Sequence, residues 1–290
     1  MRGSFLMATA TAVAIVCAGG PAAAQALGDI GGIEASDIGG GDTGLGRSNA
    51  IVGLGIGVSP DYEGSGSYQF GLVPFGRFSY LEHQQYLEFG PNPGSRTYQA
   101  RLNVLPYEGI EMGPMLTYRP GRKNVESQAV RRLPNIDNGA EAGGFARYWL
   151  PLDLGRQRVG VDLAGAADIS GAYDGWWMQP GLIYKAGVSE SVSVTGRLYA
   201  DYADKDYMQT YFGINANQSA RSGLRERDAD DGFKDVGLTL AVNWQFAKHW
   251  FTGASATYER LIADAASSPV TRNAGNQNQG SGGVFVGYKF

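Results

Sequence analysis

The sequence predicts an all-β protein, a transmembrane antiparallel β-barrel of about 12 strands with short periplasmic turns and long extracellular loops. Three observations predict it. The chain ends in an alternating strand with an aromatic carboxy-terminus. Alternation of the same kind recurs along most of the chain. The connections between alternating segments are long and short by turns.

The last seven residues carry Val284, Val286, Tyr288 and Phe290 on one phase and Phe285, Gly287 and Lys289 on the other. A strand of this kind shows lipid its apolar phase and the lumen its other phase. Tyr288 and Phe290 also look like the signal that the barrel-assembly machinery reads, which makes that machinery an expected partner. The amino-terminus agrees. Arg2 precedes an apolar run from Phe5 to about Gly20, and Pro21-Ala22-Ala23-Ala24 offers small residues for cleavage after Ala24. Residues 1–24 therefore read as a secretory signal peptide. Cys17, the only cysteine, lies inside it and follows Val16, so a lipoprotein signal is not expected.

Residues 25–47 are rich in Gly and Asp without a sustained period, and read as a flexible periplasmic tail. The barrel is expected over 48–290. Its strands follow in order. Val52, Leu54, Ile56 and Val58 alternate with Gly53, Gly55 and Gly57, where the glycines give clearance on the lumen side. Tyr68, Phe70, Leu72 and Phe78 oppose Arg77, and Pro74 marks an expected bulge or kink. Tyr86 to Phe89 is a short, weak segment. Leu102 and Val104 oppose Arg101; Met112, Leu116 and Tyr118 oppose Glu111 and Arg119; Ala146 and Tyr148 oppose Glu141 and Arg147. Val159, Val161 and Leu163 oppose Arg158 and Asp162, and Leu182 and Tyr184 oppose Lys185. Val194 and Leu198 oppose Arg197 and Asp201. Leu238, Leu240 and Trp244 oppose Thr239 and Asn243, and Trp250 and Tyr258 oppose Glu259.

The charges thus gather on the phase opposite the apolar one. A charge facing lipid at mid-bilayer costs roughly 2–4 kcal/mol, so a barrel keeps its charges inside. The connections 120–140, 203–232 and 262–280 are long and polar, whereas 81–85, 105–109, 151–157, 188–191 and 247–249 are short. That asymmetry is the one expected of outer-membrane barrels. It places the chain, facing membrane lipid, in the outer membrane of a Gram-negative bacterium. Composition is consistent with this: 44 Gly and 16 Tyr among 290 residues, and a slightly negative mean hydropathy. The formal net charge is −4 with no basic block, so no nucleic-acid partner is expected.

Ser48 to Gly55, a Gly-rich strand, runs into Pro60-Asp61-Tyr62-Glu63-Gly64-Ser65. This resembles the MltA-interacting protein (MipA/OmpV) family. Asp206-Tyr207-Met208-Gln209-Thr210-Tyr211-Phe212-Gly213-Ile214 is similar to a second block of that family, and the carboxy-terminal strand is similar too. The resemblance implies an outer-membrane protein. Its named member is a scaffold joining a murein-cleaving lytic transglycosylase to a murein synthase, a penicillin-binding protein. Those two are the partners the resemblance implies.

Asp61, Tyr62 and Glu63 could contact a ligand or ion. The plainer reading is a Pro-initiated turn whose acids are solvated or pair with loop arginines. Tyr207 to Ile214 could be a short helix or an extra strand folded over or into the mouth. The expected lumen lining includes Arg77, Arg101, Glu111, Arg119, Arg147, Asp162, Arg197 and Glu259. They could line a polar channel for small solutes or form a salt-bridged filling; sequence does not place them at one height. Catalysis is not expected. The two histidines, His83 and His249, fall in separate periplasmic turns. No metal or cofactor motif is present. Adhesion through the long loops is a third function class.

Overall fold

A computed structural model describes residues 50–80, 85–92, 96–105 and 107–290. The signal peptide, the tail and His83 lie outside the described residues. Twelve strands form one closed antiparallel barrel, each paired with its sequence neighbours. They are β1 Ala50–Pro60, β2 Tyr68–Tyr80, β3 Gln85–Pro91, β4 Tyr98–Asn103, β5 Ile110–Arg119 and β6 Gly139–Trp149. There follow β7 Gln157–Asp168, β8 Trp176–Gly187, β9 Val192–Ala203, β10 Gly232–Gln245, β11 Trp250–Leu261 and β12 Asn278–Lys289. Closure is made by β1 on β12, in a ladder from Ile51 opposite Lys289 to Val58 opposite Gly282.

The period of two sets the two surfaces. Leu54, Ile56, Leu182, Leu198, Leu238, Leu240 and Val284 are exposed on the outside, where lipid solvates them. At the extracellular end of the wall Trp176 stacks on Tyr202, and Tyr202 meets Phe233 edge-on. At the periplasmic end Trp250, Tyr288 and Phe290 form a second aromatic belt. Rings with an apolar body and a polar edge suit the two membrane–water boundaries. The opposite phase is buried inside the barrel, with aromatic residues among the polar ones. Ile51, Phe75, Phe251 and Phe285 form one apolar cluster on the lumen side of β1, β2, β11 and β12.

Pro74 corrects the sequence expectation. The ladder of β2 to β1 runs through Leu54 opposite Pro74 with no break in register. The ladder of β2 to β3 covers only Gly76 to Tyr80. Pro74 therefore stands beyond the end of the β3 ladder, and no bulge is needed to accommodate its missing N–H. The weak third segment is a real strand, seven residues long.

Among the described residues, five short helices belong to the extracellular loops. They are α1 Gln128–Arg131, α2 Lys205–Phe212, α3 Ala216–Ser222, α4 Ala263–Ser267 and α5 Pro269–Arg272. A loop cluster of Tyr62, Val125, Val130, Leu133, Ile214, Leu224 and Val270 packs them into one cap.

Candidate functional site

The site is the extracellular mouth, where α2 lies across the lumen. Asp204 caps this helix: its carboxylate accepts from the backbone N–H of Tyr207 at 3.1 Å and from that of Trp176 at 3.0 Å. Tyr207, Met208, Tyr211 and Phe212 fall on one helical face and are buried. Their spacing of three and four residues gives the helix an apolar side facing down into the barrel. Tyr207 and Tyr211 pack with Tyr173 from the β7–β8 loop, with ring centroids 4.6, 5.1 and 5.7 Å apart. Of the two shapes the sequence left open for 207–214, the helix is the one adopted over Tyr207–Phe212.

A polar network ties this helix to both walls. The Tyr207 hydroxyl lies 2.8 Å from Glu63 Oε2 and accepts from Arg119 Nη1 at 3.0 Å. Arg119 Nε also donates to Glu141, which accepts from the Tyr173 hydroxyl at 2.9 Å and from Trp177 Nε1 at 2.7 Å. On the other side, Lys234 Nζ lies 3.1 Å from Glu63 Oε1 and 3.5 Å from Asp201 Oδ2, and bonds Asp235. Burial works to raise the Glu63 pKa. Lys234, Arg119 and the Tyr207 hydroxyl outweigh it and hold the carboxyl below its ordinary value.

Lys234 was invisible to strict alternation. The ladder of β10 to β9 shifts register between Phe233 and Asp235, so that the adjacent Lys234 and Asp235 are both buried within the barrel. A bulge that doubles one strand against its neighbour re-aims a side chain in this way.

Pro60-Asp61-Tyr62-Glu63-Gly64 is the knot that joins the loops. Pro60 ends β1. Asp61 Oδ2 accepts from the backbone N–H of Glu126 at 2.8 Å, and the buried Tyr62 donates to the carbonyl of Ala274 at 2.9 Å. Glu63 turns into the mouth. Gly64 has φ +87°, and a Cβ there would meet Thr271 Oγ1 at 2.6 Å. The segment is a turn, as the plainer reading had it, but Glu63 pairs with strand residues rather than with solvent.

Deeper in the lumen, Arg197 bonds Asp162 Oδ2 at 3.0 Å and Gln179 Oε1 at 2.8 Å. Arg147 lies 3.2 Å from Glu111 Oε2 and 4.0 Å from Asp162 Oδ2. Glu111 accepts further from the Tyr86 hydroxyl at 2.6 Å and from Trp149 Nε1 at 3.0 Å. Arg77 lies over the Tyr86 ring, and Arg101 bonds Gln99 and faces Phe145. Glu259 accepts from the Tyr199 hydroxyl. Seven of the lumen-phase residues thus sort into two groups. Arg119 and Glu141 join the mouth network; Arg77, Glu111, Arg147, Asp162 and Arg197 interlock below it. Asp201, Asp235 and Glu259 bring carboxylate oxygens within 4.8 Å of one another. The Lys234 ammonium already bonds two of the three and supplies their positive charge.

At the periplasmic end, His249 Nδ1 lies 2.9 Å from the carbonyl of Lys289, and its ring stacks on Tyr288. The histidine thus supports the terminal strand. Phe290 is exposed, and its N–H donates to the carbonyl of Ala50 at 3.0 Å.

A family model described as MltA-interacting protein MipA matches residues 52–290. YiaT of Escherichia coli (strain K12), named as an outer membrane protein, is 28% identical over 146 residues, 50% of this chain and 56% of that one. The MltA-interacting protein of the same strain is 28% identical over 79 residues, 27% of this chain and 32% of that one. The matched stretches thus span about half and a third of these two relatives. Among solved structures, the NanC porin is similar at a TM-score of 0.48 and 10% identity, covering 83% of this chain and 100% of that one. An outer membrane channel from Pseudomonas putida F1 is similar at 0.44 and 13%, covering 83% and 95%.

Proposed function

Because the chain belongs to the MltA-interacting protein MipA family, we propose that it is a non-catalytic outer-membrane scaffold. It would hold a murein-cleaving lytic transglycosylase near a murein synthase of the penicillin-binding class. The chain is an outer-membrane protein, as is its relative YiaT by name. The observation that carries the reading is the mouth network. A barrel whose entrance is crossed by a helix tied to both walls is poorly built for free passage of solutes. Its periplasmic face is then the surface left for work. Leu152 and Leu154 are exposed in the turn between β6 and β7, as is Tyr107 in the turn between β4 and β5. Apolar side chains in turns beyond the membrane suit a protein contact.

Crosslinking a tagged copy in cells and identifying what it captures tests the scaffold. Enrichment of a lytic transglycosylase or a penicillin-binding protein is expected, with capture reduced in a variant carrying Leu152→Ser and Leu154→Ser. Capture of neither enzyme class would overturn the reading. A small-solute channel is the second reading, favoured by the polar lining beneath α2. Steady conductance of the wild-type barrel in planar bilayers would select it.

A further inference from the structure

Arg122 follows β5 in the loop that leads to α1. Its backbone pairs with Ile136, and the residue as a whole is only 7% exposed. Nη1 donates to the carbonyl of Tyr211 at 3.0 Å, whereas Nε has no partner. No carboxylate pairs with this guanidinium among the described residues; the groups acting on it are Tyr211 and Tyr62. Burial pulls its pKa down to about 10. The hydroxyl of Tyr211 is a second buried group without a partner.

Both side chains line one small cavity, together with Tyr62, Glu63, Arg96 and Arg119. Arg119 is taken up by Glu141, so Arg122 is the guanidinium of this lining for which no carboxylate is found among the described residues. Glu63 is already engaged by Lys234 and the Tyr207 hydroxyl. A buried guanidinium without a counter-charge is unfavourable. A trapped water would satisfy its N–H groups and leave the charge uncompensated. An oxyanion does both, because the guanidinium fork matches carboxylate and phosphate geometry.

We propose that this cavity binds an oxyanion head group, a carboxylate or a phosphate, that enters from outside the cell and seats one oxygen between Arg122 and Tyr211. The free space is about 10 Å³, roughly that of one water. Only one oxygen of the head group enters, and the remainder stays outward on the Arg96 side. The anion has two sources: a free solute, or the phosphate of a lipopolysaccharide in the outer leaflet. The inference stands apart from the scaffold, which works from the periplasmic face.

Inorganic phosphate, and separately acetate, would be titrated calorimetrically into the full folded chain in neutral detergent at low chloride. A second arm measures thermal melting in nanodiscs with and without lipopolysaccharide. Arg122→Gln and Tyr211→Phe are the variants; the second removes only a hydroxyl and carries the test if the first fails to fold. Saturable one-site binding of a free anion is expected, about tenfold or more weaker in Arg122→Gln and weakened in Tyr211→Phe. A melting rise with lipopolysaccharide alone, lost in the variants, would support the site with a lipid source. No anion effect in either arm, or equal effects in wild type and variants, would overturn it.

Discussion

Gly287 faces the ring of Phe251 across the ladder between β11 and β12, and Gly53 faces Phe75 across that between β1 and β2. A Cβ on Gly287 would lie 2.1 Å from Phe251 Cζ, and one on Gly53 would lie 2.0 Å from Phe75 Cζ. Neither ring has room to retreat, because Phe75, Phe251 and Phe285 pack on one another. Overpacking of this kind costs about 1–3 kcal/mol. Gly287→Val is therefore expected to lower the urea midpoint of the folded barrel, and adding Phe251→Ala should recover part of the loss. Glu63 carries a second expectation at this scale. Its pKa is lower folded than unfolded. The stability it contributes is present above the unfolded value of 4.5 and is lost as pH falls through the folded one. Acidification from pH 6 into that window should lower the melting temperature of the wild type more than that of Glu63→Gln.

Among the elements, α2 is expected to limit what the barrel can pass. Its inner face is held by Tyr207 between Glu63 and Arg119, and its end by Ser268, whose hydroxyl donates to the carbonyl of Phe212 at 2.6 Å. Replacing 205–229 with a short Gly-Ser linker is expected to leave the strands paired and to raise single-channel conductance in planar bilayers. Unchanged conductance would mean that the obstruction lies deeper, in the interlocked Arg147, Asp162 and Arg197. The helix could be anticipated in part. Tyr207, Met208, Tyr211 and Phe212 carry a helical spacing that a strand would not need. The bulge in β10 could not, because Phe233-Lys234-Asp235 reads as the frayed start of a strand. Pro74 misled for the opposite reason: a proline within an alternating run signals a bulge only when both edges of the strand are paired.

For the molecule as a whole, the terminal strand is the closing piece. The β1–β12 ladder removes the last two open edges, which a bilayer does not tolerate. Phe290 adds a backbone bond to Ala50 and an edge-on contact with Tyr288. Deleting Phe290 is expected to reduce the amount of protein in the outer-membrane fraction, read by blotting, well before it changes the stability of barrels that do assemble. Equal levels would separate this residue from assembly.

The twelve strands, their inward and outward phases, and the long and short ends of the barrel were legible in the sequence by itself. Each follows from a period of two and from the cost of charge in lipid, and both act locally along the chain. The inward placement of Arg101, Arg147 and Arg197 belongs to the same class. The tertiary structure alone decided which of those charges meet, because partners such as Arg119 and Tyr207 are 88 residues apart and their heights depend on register and loop packing. It alone turned Lys234 inward, seated a helix in the mouth, and left Arg122 and Tyr211 beside one cavity with no protein partner for either Nε or the phenol. A periodic pattern records which face a residue is on. It carries no record of what stands opposite once the sheet has closed.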